Sequence, residues 1–226
     1  MNNAEKPQLT IPRVIGSLSF FNSDNLEIMR GFADNEFDLA IVDPPYGLER
    51  FKANDGGNSK KITTFGDKDK NWNNIKPVAE YWEQLFRVSK NQIVWGGNNF
   101  ELPTSEYFII WDKGQMMPSF ARCEMAWTNC KVPAKMYAKR SQDLDRIHPT
   151  QKPTDLYSWL LKNYAKEGFK ILDTHLGSGS IAIAVEKANR LDKMNLQFVG
   201  IEIDKEYFEK AINRIEQYCR QGTLSF

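Results

Sequence analysis

Apolar residues along this 226-residue chain come in short blocks, and the spacing inside each block separates strands from helices. Phe37 to Val42 is a run of the kind that favours a buried strand, closed by Asp43 and turn residues. Leu18-Ser19-Phe20-Phe21 predicts a shorter strand before it. Asn22-Ser23-Asp24 then reads as a turn, with Asp24 capping a helix that runs through Leu26, Ile28 and Met29. Val78, Tyr81, Trp82, Leu85 and Phe86 fall at helical spacing, and Pro77 suits the first turn. Asn91 to Trp95 and Tyr107 to Trp111 predict two more buried strands, the first ended by Gly96-Gly97. Cys123 to Thr128 and Ala134 to Ala138 have no helical pattern between them and predict a small antiparallel arm. From Pro153 to Tyr164 the spacing returns to helix, with Leu156, Trp159 and Leu160 on one face.

The C-terminal part repeats a single scheme. Phe169 to Asp173 predicts a strand, residues 174–180 a tight Gly-rich turn, and Ile181 to Ala188 an apolar helix that its alanines let pack closely. Gln197 to Glu202 predicts the next strand, and Asp204 caps a last helix to about Arg220. Strand, helix and parallel strand in that order make a βαβ unit. The predicted fold is therefore α/β, Rossmann-like and mostly parallel, in one domain over residues 1–226. Between Gly47 and Asn74 the pattern dissolves into Gly, Asn, Lys and Asp, which predicts a mobile loop, a lid if it serves the preceding turn.

Composition narrows the class. The chain is 41% hydrophobic and 26% charged, the balance of a soluble globular protein, and no apolar run approaches the roughly 18 residues of a membrane helix. Met1 to Lys6 lacks the apolar core of a secretory signal, and three scattered cysteines imply neither a disulfide framework nor a metal site, so cytoplasm is the expected compartment. A net charge of +1 argues against coating of nucleic acid by bulk electrostatics. The distribution is more telling: residues 111–152 hold eight Lys and Arg against four Asp and Glu. Lys113, Arg122, Lys131, Lys135, Lys139 and Arg140 are the candidate nucleic-acid contacts there, in a small recognition region over 111–152.

Candidate chemistry sits at two strand ends. Asp43-Pro44-Pro45-Tyr46 sets an acid, a stiff turn with carbonyls free to accept, and a flat ring in four residues. That set suits a planar substrate bearing an amino group, such as a nucleobase turned out of its stack. A strand-to-helix turn with a solvated acid would read the same in isolation. At the other end, Gly177 and Gly179 allow close approach to the backbone, and Glu202 is positioned for ribose hydroxyls. Gly177-x-Gly179-x-x-Ala182 also fits the relaxed dinucleotide fingerprint, so an NAD-dependent oxidoreductase is a rival. Against it, the unit is C-terminal and a dehydrogenase gives no reason for Asp43 to Tyr46.

The order of these motifs resembles the amino-methyltransferases of DNA, specifically the permuted group in which the Asp-Pro-Pro-Tyr segment precedes the Gly-rich one. His148-Pro149-Thr150-Gln151-Lys152-Pro153 is similar to that family's linking segment, and Trp111-Asp112-Lys113 with Glu124 to the motif opening its recognition region. The likeness runs from about Leu18 to Gln217. It implies transfer of a methyl group from S-adenosylmethionine to N6 of adenine in double-stranded DNA, with N4 of cytosine, or an inactive nucleic-acid-binding subunit, as alternatives. It further implies Asp43, Pro44 and Tyr46 as the catalytic group. Asp24, Asp43, Lys152, Asp173, His175, Gly177, Gly179 and Glu202 become cofactor residues. The side-by-side placement of the strands ending at Asp43 and Asp173 is implied as well, and a homodimer and a partner restriction endonuclease fit the family. Thr174-His175 departs from the family's Pro-Phe, and Ser180 from its Thr.

Overall fold

A computed structural model describes residues 11–47, 76–114, 121–139, 147–148 and 150–221. The loop expected over 47–74 lies, apart from Gly47, outside the described residues. The strands are β1 (Arg13–Ile15), β2 (Leu18–Asn22), β3 (Leu39–Val42), β4 (Gln92–Trp95), β5 (Phe108–Asp112), β6 (Cys123–Thr128), β7 (Lys135–Ala138), β8 (Lys170–Asp173) and β9 (Gln197–Glu202). The helices are α1 (Asn25–Arg30), α2 (Ala79–Val88), α3 (Thr154–Tyr164), α4 (Ser180–Asp192) and α5 (Lys205–Gln221).

The strands form one sheet in the order β1-β2-β9-β8-β3-β4-β6-β5-β7. From β2 to β4 all neighbours are parallel. Residues along β3 alternate between two cores, Leu39 and Ile41 in one, Ala40 and Val42 in the other, as strand geometry requires. The first core also takes Leu156 and Leu160 of α3, Ile181 and Val185 of α4, and Ile212 of α5. The second takes Met29 of α1 and Tyr81 and Leu85 of α2. The result is a three-layer α/β/α arrangement.

Two predicted features differ. Cys123–Thr128 and Lys135–Ala138 form no detached arm: β6 inserts antiparallel between β4 and β5, and β7 closes the described edge parallel to β5. Trp127 and Ala126 are buried in consequence, an apolar gain that pairing β6 with β7 alone would forgo. Pro77 sits two residues before α2, just ahead of its extended cap residue Val78. The caps of α1 and α5 form as predicted. Asp24 Oδ1 accepts from Leu26 N and Glu27 N, and Asp204 Oδ1 from Glu206 N and Tyr207 N.

Candidate active site

Register carries the two motifs to one edge. Leu39 pairs with Ile171 and Ala40 with Leu172 in parallel, so β3 and β8 deliver Asp43 and Asp173 to the same end of the sheet. Ligands of open α/β sheets bind outside that end. A cleft of about 200 Å³ opens there.

Asp43 is held by side chains on both oxygens. Tyr46 Oη donates to Oδ1 at 2.7 Å, and the Lys152 ammonium lies against Oδ2. The Tyr46 ring lies over Gly96 at the end of β4: a Cβ on Gly96 would stand 2.3 Å from Tyr46 Cε1, and the backbone there has φ +65°. Only glycine meets both conditions without displacing the ring. Phe100 meets the ring edge-on at 6.1 Å. Burial raises the Tyr46 phenol far above its ordinary value, so it stays a hydroxyl donor.

Lys152 is only 4% exposed at its side chain and sits 5.3 Å from the centre of the Trp95 ring. Burial alone would favour its neutral amine, but the Asp43 carboxylate, with Glu124 behind it, outweighs that and holds it well above the ordinary lysine range. Its Nζ lies 3.3 Å from Glu124 Oε2, and Lys113 is salt-bridged to Glu124 Oε1. Burial pushes the Glu124 carboxyl up, but the two ammoniums more than offset it, leaving the group below its ordinary value. Sequence reasoning assigned Lys152 to the cofactor; it lines the cleft and also grips Asp43.

The other corner is built from backbone donors. Glu202 Oε2 accepts from Gly177 N and Oε1 from Asp204 N, both at 2.9 Å. Burial raises the Glu202 carboxyl, against the pull of those bonds. Asp173 and Gly179 lie behind the cleft wall instead of on it. Asp173 Oδ1 accepts from His175 N at 3.0 Å. Burial, with the Asp43 and Glu202 charges adding to it, pushes Asp173 up to about 8. A Cβ on Gly179 would stand 2.8 Å from Ile215 Cδ1 of α5, so this glycine serves the packing of the turn. Arg214 braces the same turn, donating to Ser178 O and Ser180 Oγ.

His175 stands on the cleft wall as a neutral ring, pushed down to about 3 by burial. Asn25 Nδ2 also approaches Thr174 O and so is a donor; His175 Nε2 then accepts, and Nδ1–H donates to Thr174 Oγ1 at 2.9 Å. Asp24 and Gly177 line the cleft as expected.

Sequence reasoning missed Ile203, Tyr207 and Tyr157. Ile203 is 68% exposed at the mouth, and an apolar residue between Glu202 and Asp204 at a strand end was the available signal. Tyr207 meets His148 edge-on at 4.4 Å between ring centres. Three of the candidate nucleic-acid cations have partners within the fold. Lys113 belongs to the Glu124 pair, Lys135 donates to Asn163 Oδ1 at 2.6 Å, and Lys139 is paired with Asp155. Arg122 and Lys131 are exposed, and Arg140 lies outside the described residues. No group of three metal-ligating side chains and no helix able to cross a membrane occurs among the described residues.

A mostly parallel sheet with acids and a Gly-rich turn at one end defines a Rossmann-like α/β protein built to hold a ligand at its strand ends. Residues 67–213 match the DNA methylase family of the N6/N4 type, and the chain belongs to that family. It is 26% identical over 145 residues to the type II methyltransferase M2.DpnII of Streptococcus pneumoniae, a match covering 64% of this chain and 49% of that protein. The chain thus spans about half the length of that relative. The fold is shared with the M1.HpyAVI–SAM complex at a TM-score of 0.57 and 18% identity, over 88% of this chain and 98% of that one. It is shared with the cytosine-N4-specific PvuII DNA methyltransferase at 0.56 and 11% identity, over 90% and 92%.

Proposed function

We propose that this protein is a site-specific DNA methyltransferase that moves a methyl group from S-adenosylmethionine to the N6 amino group of adenine in double-stranded DNA. The observation that carries this reading is the placement of Asp43, with Tyr46 bonded to it, on the cleft that Gly177 and Glu202 help to line. The cleft suits the cofactor: Asp24 and Glu202 offer carboxylates to ammonium and ribose groups, and Ile203 and Tyr207 offer surface for a flat base. When bound, S-adenosylmethionine supplies a methyl group on a positively charged sulfur.

Each Asp43 oxygen carries one donor and keeps a further lone pair, so the carboxylate can accept an N–H of the target amine without first losing Lys152. The Pro44 carbonyl is a candidate for the second N–H. Asp43 then stabilises the positive charge that grows on nitrogen as its bond to the methyl forms and the methyl–sulfur bond breaks, leaving a neutral thioether; the nitrogen afterwards loses one proton to solvent. Tyr46, fixed over Gly96 and tied to Asp43, offers a stacking face worth about 1–3 kcal/mol per base. No covalent enzyme intermediate is needed, and much of the acceleration comes from positioning. Arg122 and Lys131, both exposed, are left to meet phosphates.

The test is transfer of labelled methyl from S-adenosylmethionine to mixed-sequence double-stranded DNA, followed by nucleoside analysis. N6-methyladenine is the expected product. N4-methylcytosine would keep the chemistry and change the base. No label in DNA, with cofactor binding demonstrated, would refute the reading.

A further inference from the structure

Four charged side chains run outward from the reacting corner in alternating sign: Asp43, Lys152, Glu124 and Lys113. They come from four places in the chain, the ends of β3 and β5, the strand β6, and the segment before α3. Trp111 and Glu124 are partners across the β5–β6 ladder, which sets Glu124 beside Lys113. Trp95 and Trp111, 6.4 Å apart and nearly perpendicular, wall the line, with Lys152 against one ring and Lys113 against the other at 5.2 Å.

An ammonium this enclosed must be paired. If Asp43 were its only partner, the two charges would cancel. An amine nitrogen becoming positive at Asp43 would then meet a cation almost as near as the anion. Glu124 changes that balance by placing a second carboxylate on Lys152, so the ammonium is shared between two anions; Lys113, which brings the four charges to a sum of zero, is at the other end of the line from Asp43. Glu124 Oε2 is buried and has no hydrogen bond among the described residues, so its tie to Lys152 at 3.3 Å is electrostatic.

Resting on the methyltransferase reading above, we propose that Glu124 is a positioning residue for the reaction. By sharing Lys152 with Asp43, it keeps the corner that receives the target amine negatively charged, and Lys113 holds Glu124 in place. Glu124 touches neither substrate nor cofactor in this scheme and acts through Lys152.

The experiment compares single-turnover methylation by wild type, Glu124→Gln, Glu124→Asp and the double variant Glu124→Gln/Lys152→Met, with dissociation constants for S-adenosylmethionine and for DNA measured separately. Glu124→Gln should slow methyl transfer by about 10–100-fold while both dissociation constants stay within about threefold of wild type. Glu124→Asp keeps the charge and should retain a rate within about fivefold of wild type. The double variant removes the cation that Glu124 balanced, and should be faster than Glu124→Gln alone. A wild-type rate in Glu124→Gln, a Glu124→Asp protein as slow as the Gln variant, or a double variant no faster than Glu124→Gln would each overturn the proposal. If Glu124→Gln does not fold, the Asp variant alone decides. Failure of the methyltransferase reading is distinguishable, since the wild type would then transfer no methyl to DNA.

Discussion

The ends of β3 and β8 lie side by side, carry an acid each, and are finished in opposite ways. At Asp43 the donors are side chains, a tyrosine hydroxyl and a lysine ammonium. At the second corner they are backbone N–H groups: His175 for Asp173, and Gly177 and Asp204 for Glu202. The two side-chain donors leave lone pairs on Asp43 able to take on another partner. Backbone donors fix the course of a loop. Under the proposed function the first corner reacts and the second holds, and the first two variants below separate the two.

Glu202→Ala should have the largest effect on holding. It removes the acceptor for Gly177 N and Asp204 N together, and should weaken S-adenosylmethionine binding by about 10–100-fold in equilibrium titration, on the scale of hydrogen bonds to a charged group. Turnover at saturating cofactor should change far less. A Glu202→Ala protein that binds normally would remove the second corner from the account.

Gly96→Ala acts on the reacting corner without touching its charges. The added Cβ would overlap the Tyr46 ring, and displacing a packed group costs about 1–3 kcal/mol. The expected result is a drop of about 5–100-fold in kcat/KM for DNA, with cofactor binding retained. Unchanged kinetics would mean that the pose of Tyr46 is unimportant.

The last effect is on stability and leaves the reaction aside. Asp173, raised to about 8 by burial first and by Asp43 and Glu202 next, holds its proton in the fold at pH values where an unfolded carboxyl has lost it. Its contribution is fully present below about pH 4 and is lost as pH rises towards 8, with a slope of at most about 1.4 kcal/mol per pH unit. Asp173→Asn should flatten that slope in denaturant titrations of the cofactor-free protein between pH 5 and pH 8, taken as approximate bounds from the same linkage. An identical slope in the variant would show Asp173 ionised throughout.

Much of this arrangement was legible in the chain. Short apolar runs mark β3, β4, β8 and β9 because a parallel strand buried on both faces shows a continuous block, and Asp24 and Asp204 announced their helices by cap chemistry. The sheet order was not legible from pattern. β6 sits between β4 and β5, a choice made by burial of Trp127 and by distant register, which local alternation does not encode. For the same reason the pairing of Lys152 with Asp43, 109 residues away, and that of Lys113 with Glu124 were not legible. Gly96 read as a strand end because its role lies in what its missing side chain leaves room for.

The most direct test of the division between reacting and holding is a titration of S-adenosylmethionine onto Asp43→Asn, paired with its methylation rate. The account predicts a rate lowered on the order of 10³-fold, as when a charge-stabilising group is removed, with a dissociation constant within about threefold of wild type. A dissociation constant that rises in step with the loss of rate would contradict it, because Asp43 would then belong to the holding corner.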